Sequence, residues 1–117
     1  MLRPISFCLA MLVPYFSYST PAVDEVSLSR QCHILAQHLR EIKESQKRSS
    51  CTYKLYMSSI YVDISGDQIS EKKYSNASED LTNAIELLIF AQKFHCERIM
   101  EVTEIKKELI QIRRQIR

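Results

Sequence analysis

SEDLTNAIELLIFAQKFHCERIMEVTEIKKELIQIRRQIR, residues 78–117, contains neither glycine nor proline. Along it Leu81, Ala84, Leu88, Ala91, His95, Arg98, Val102, Ile105, Leu109, Ile112 and Ile116 alternate by steps of three and four. That spacing keeps one side of a helix in register with a facing seam, and its persistence points to a coiled coil or long helical hairpin. Ser78 is placed to cap the start, with Glu79 and Asp80 where negative charge suits a first turn. At 1.5 Å per residue such a helix is about 55 Å long.

Upstream, Leu28, Cys32, Leu35, Leu39 and Ile42 repeat the same alternation after Ser27, a cap candidate preceded by Asp24 and Glu25. Between these stretches, Tyr53, Tyr56, Met57, Ile60, Tyr61 and Ile64 fit a helical face reaching about Val62, although residues 59–64 also carry the branched and aromatic character of a strand. Residues 63–76, with Gly66 and Asp67 among serines and charges, then read as the connection. Two arms of similar length, 24–62 and 78–117, predict an all-α protein: a long antiparallel helical hairpin or coiled coil. Two helices alone bury little, so a short third helix or a second copy of the chain is expected to complete the core.

The chain begins MLRPISFCLAMLVPYFSYSTPAV. One early arginine, an apolar run from Ile5 to Val13 and small residues thereafter have the pattern of a signal peptide, residues 1–19, cut after Ser19 or Ala22. The run is too short to span a bilayer. The expectation is a single helical domain, 23–117, that is secreted or periplasmic.

Removing Cys8 with the leader leaves Cys32, Cys51 and Cys96 as disulfide candidates. In an antiparallel hairpin, facing residue numbers sum to a constant. Cys32 with Cys96 centres the turn near residue 64, and Cys51 with Cys96 near 73 or 74. Both centres fall in the expected connection, and a three-helix arrangement would also allow Cys32 with Cys51. Whichever of the two cross-arm pairs forms, the bridge should stabilise the fold by roughly 4 kcal/mol in the chain-entropy account.

The mirrored pairs Cys32-His33 and His95-Cys96 suggest metal ligation, but adjacent helical residues point about 100° apart whereas ligands on one helix come three or four apart. No metal site and no cofactor is expected. With 117 residues and one glycine, dinucleotide folds and glycine-built phosphate loops are excluded. The serines sit in no nucleophile elbow. Sixteen basic against 14 acidic residues, a formal +2, argues against nucleic-acid binding.

These features predict a non-catalytic protein with no small-molecule substrate, binding a protein partner or itself as an assembly component, adaptor or ligand. The seam of Leu88, Val102, Ile105, Leu109, Ile112 and Ile116 is the expected contact. An alternative is peripheral membrane contact through the basic amphipathic end carrying Lys106, Lys107, Arg113, Arg114 and Arg117. Asn76-Ala77-Ser78 is an N-glycosylation sequon.

Overall fold

A computed structural model describes residues 23–117; the expected leader and its cut, with Cys8, lie outside the described residues. Among the described residues the chain is all-helical: α1 Glu25–Glu44, α2 Ser49–Ser70, α3 Tyr74–Lys93 and α4 Ile99–Gln115. Each helix packs beside the next, and α4 returns to touch α1, giving an up-down-up-down bundle.

The expected hairpin of two long arms is therefore corrected to four helices, because each arm folds back once. Residues 45–48 break the first arm and 94–98 the second. The break at 94–98 uses no glycine. His95 takes φ 53° and Arg98 φ 60°, both left-handed. The Cys96 N–H bonds back to Ala91 O at 3.1 Å and the His95 N–H to Gln92 O at 3.2 Å. This pair of reversed bonds is the Schellman ending of a helix, with His95 at the left-handed position that glycine usually fills. The α2–α3 turn repeats it: Lys73 N–H to Gln68 O at 2.8 Å, Lys72 N–H to Ile69 O at 3.0 Å, and Lys72 at φ 61°.

That tight turn, at residues 71–73, also corrects the expected connection at 63–76, most of which is helix. Gly66 lies inside α2, not in a turn. A Cβ there would come within 3.0 Å of His33 Nε2 and 3.1 Å of Cys32 Cβ, so the missing side chain lets α1 approach α2 closely. Two caps also move. Asp24, not Ser27, caps α1, its carboxylate accepting the Ser27 N–H at 3.0 Å. Ser78 lies inside α3, where its carbonyl accepts the Thr82 hydroxyl.

The stripe read on α1 is buried as expected, and Leu81, Ala84, Leu88 and Ala91 of α3 meet Val102, Ile105, Leu109 and Ile112 of α4 in one core. Helix α2 turns Tyr53, Tyr56 and Ile64 of the expected stripe outward, while Tyr61 packs partly buried against the core. Its interior stripe is Cys51, Leu55, Ser58 with Ser59, Val62, Ser65 with Gly66, and Ile69. The buried serines satisfy themselves on carbonyls: Ser59 Oγ donates to Tyr56 O at 2.6 Å and Ser65 Oγ to Tyr61 O at 2.8 Å. At about 100° per residue, Tyr53, Tyr56, Ile60 and Ile64 then fall on the opposite, outward side.

Candidate interaction surface

Outward-facing bulk on α2 continues onto α3. Tyr53 is 60% exposed, Tyr56 43%, Ile64 40%, Phe90 47% and Phe94 43%. Phe90 and Phe94, one helical turn apart, stack with centroids 6.1 Å apart and an 18° interplanar angle. Lys54 reaches across from α2, its Nζ 4.9 Å from the Phe90 centroid and 5.4 Å from that of Phe94. Lys93 lies 6.0 Å over Phe90, and Lys43 of α1 lies 5.1 Å over Tyr56. These contacts fall within the range of cation–π attraction and hold the rings in place. Between α1 and α2 runs an open groove of about 560 Å³ lined by Lys43, Lys47, Ser49, Thr52, Tyr53 and Tyr56.

The surface lies at the end of the bundle tied by the Cys51–Cys96 disulfide, whose Cα atoms are 5.7 Å apart. The pairing is the one whose sum centres the turn at 73–74, where the chain does turn. Gln46 reinforces it, accepting the Glu97 N–H at 2.8 Å and donating to Glu97 O at 2.9 Å, and the Arg48 guanidinium donates to Phe94 O. Thus the junction that carries Phe94 is anchored to α1 and α2 by one covalent and several polar links.

The third candidate cysteine, Cys32, is free and buried. Burial, with a smaller push from the nearby Asp63 carboxylate, raises its thiol to about 12, so it packs as a neutral side chain and is no nucleophile at ordinary pH. Of the mirrored Cys-His pairs, Cys96 is consumed by the disulfide and His95 is exposed at the break. Among the described residues no group of three or more His, Cys, Asp or Glu side chains could hold a metal ion.

His33 and His38 serve as ties from α1. His33 Nδ1 lies 2.9 Å from Asp63 Oδ1 and its Nε2 3.2 Å from Asp67 Oδ1, while Arg40 donates to Asp63 Oδ2 at 2.7 Å. Burial pushes the Asp63 carboxyl up, but the hydrogen bonds from His33 and Arg40 outweigh it and leave it below its usual value. His38 Nε2 lies 2.9 Å from Glu101 Oε2, and Arg98 grips both Glu101 oxygens at 2.7 and 2.6 Å. The Arg98 hydrogen bonds first, and that of His38 second, hold the Glu101 carboxyl at about 2.

The seam expected to receive a partner is interior. Leu88, Val102, Ile105, Leu109, Ile112 and Ile116 all belong to the chain's own core, because the fold-back at 94–98 sets the two halves of the stripe against each other. The basic end has the same fate: its apolar face is inside, Arg113 donates to Thr82 Oγ1 at 3.0 Å and Lys106 to Gln92 Oε1 at 2.9 Å. No helix among the described residues is long and apolar enough to cross a membrane. The outward residues Phe90, Phe94 and Lys54 belong to none of the periodic stripes in the sequence. Their signal is that Phe90 and Phe94 are bulky apolar residues lying off the seam. No family model, no curated protein and no solved structure matches the chain.

Proposed function

We propose that this is a non-catalytic helical protein of a secretory or periplasmic compartment, acting as a ligand or adaptor that binds another protein through the outward face of α2 and α3. The observation that carries the reading is the facing of α2, which gives Ser58, Ser59, Ser65 and Gly66 to the core and leaves Tyr53, Tyr56 and Ile64 exposed on the helix whose Lys54 reaches over the exposed Phe90 and Phe94. Stability would favour the reverse distribution. Aromatic residues clustered in the open and ringed by polar groups are the composition of protein contact surfaces. The Cys51–Cys96 bridge supports an oxidising compartment.

The test places a benzophenone amino acid at position 53 or 90 and, as a control, at the exposed position 111 of α4, in cells that export the protein. Illumination should give one discrete protein adduct from positions 53 and 90 and none from 111. Phe94→Asp should remove that adduct while leaving the far-ultraviolet dichroism unchanged. Equal labelling at 111, or no adduct from either position on the face, would overturn the proposal.

A further inference from the structure

Of the two asparagines in the chain, Asn76 and Asn83, only Asn76 stands in an acceptor sequence for N-linked sugar, Asn76-Ala77-Ser78. Helix capping does not account for that motif. Lys73 holds the cap position of α3, and inside the helix it is the Ser78 carbonyl, not its hydroxyl, that accepts the Thr82 hydroxyl at 2.9 Å. Ala77, between the two, is buried in the core with its N–H bonded to Lys73 O at 3.0 Å. Its neighbour Asn76 is turned about 100° away from that direction and is exposed. The attachment point is firm, because the Tyr74 hydroxyl ties the start of α3 to α1 by donating to Glu25 Oε1 at 2.6 Å.

The surroundings of Asn76 are polar. Ser75, Glu79 and Glu86 are exposed along the first turns of α3, and exposed apolar bulk on this helix begins only at Ile89 and Phe90. From Asn76 to Phe90 the helix advances about 21 Å and turns to within about 40° of the same direction. A group on Asn76 therefore shares the outward side of α3 with the aromatic rings but stands at its opposite end.

Resting on the export half of the reading above, we propose that Asn76 is an N-glycosylation site, occupied in a eukaryotic secretory pathway. The side-chain amide is the acceptor. Its Nδ2 loses a proton and bonds to C1 of the first sugar of an oligosaccharide carried on a lipid diphosphate, while the C1–O bond breaks and the lipid diphosphate leaves with the electron pair. The Ser78 hydroxyl is the second group that marks the acceptor. Because the folded chain winds both residues into the start of α3, the transfer precedes closure of that turn. The bulky, hydrated glycan then covers the polar end of the outward side and leaves Phe90 and Phe94 to a partner.

The experiment takes the full chain, expressed in its own source cells, and reads the intact mass and peptide map of the exported protein before and after treatment with peptide N-glycosidase. Enzyme treatment should remove the mass of one glycan and leave position 76 reading as Asp. Asn76→Gln and Ser78→Ala should each lack that mass, Ser78→Thr should keep it, and Asn83→Gln should not change it. An exported wild-type chain with an unmodified Asn76 overturns the glycan and leaves the compartment and protein-binding readings standing. A chain retained inside the cell, bare at Asn76 and with Cys51 and Cys96 reduced, overturns the glycan and the compartment together.

Discussion

A left-handed φ at a side chain other than glycine is costly, by about 1–2 kcal/mol for ordinary residues. Lys72 occupies that region at φ 61° in an exposed turn, held there by the paired bonds from Lys72 N to Ile69 O and from Lys73 N to Gln68 O. The Lys72 side chain is exposed and contributes nothing to the core. Lys72→Gly should accordingly stabilise the bundle by about 0.5–1 kcal/mol, the relief of strain exceeding the extra backbone entropy of glycine. Urea unfolding followed by circular dichroism checks it; a loss of stability would mean that the turn does not take this conformation. The same chemistry explains what the sequence concealed. The lone glycine drew the connection to residue 66, where it serves close packing against Cys32 and His33, while the true helix ends fall on lysine and histidine.

Whole elements were legible to the extent that burial follows periodicity. The α1 stripe and the two halves of the 81–116 stripe are interior as their spacing requires. The break between those halves was hidden, because His95 and Arg98 continue the three-four alternation and carry no sequence mark of a stop. The α2 segment is helical as its spacing predicts, but its core side is Cys51, Leu55, Val62 and Ile69 with three serines and Gly66 rather than the tyrosine-bearing face. It follows that the proposed contact surface is legible only as leftover apolar residues. What fixes the junction after α3 is the bridge across 45 residues from Cys51 to Cys96. Replacing both with alanine should lower the unfolding free energy by up to about 4 kcal/mol, the value of closing such a loop in the unfolded chain. Denaturant midpoints compared with those of the oxidised wild type provide the check. A midpoint shift near zero would show that Gln46 and Arg48 hold the junction without the bridge.

Across the whole bundle, α1 is tied to its neighbours by carboxylates whose acidity differs from that of a free chain. Glu101 links α4 to His38, and Asp63 links α2 to His33 and Arg40. Glu101 sits at about 2 in the folded state against an ordinary 4.5, and Asp63 lies below its ordinary 3.8. A carboxyl with a folded value below its unfolded one stabilises the fold fully above the unfolded value and loses that contribution as pH falls toward the folded one. The window for Glu101 is thus from 4.5 down to about 2, and for Asp63 it opens below 3.8. Both groups are partly solvated, so each contribution is modest, but both tie the same helix, α1. Acid should therefore loosen α1 before the α2–α3 hairpin, whose serine and disulfide links do not titrate in this range. Hydrogen exchange at about pH 6 and about pH 3 should show protection in α1 falling further than in α2 or α3. In Asp63→Asn with Glu101→Gln the urea midpoint should change less between those pH values than in the wild type. An equal change in both proteins would place the acid-sensitive groups elsewhere.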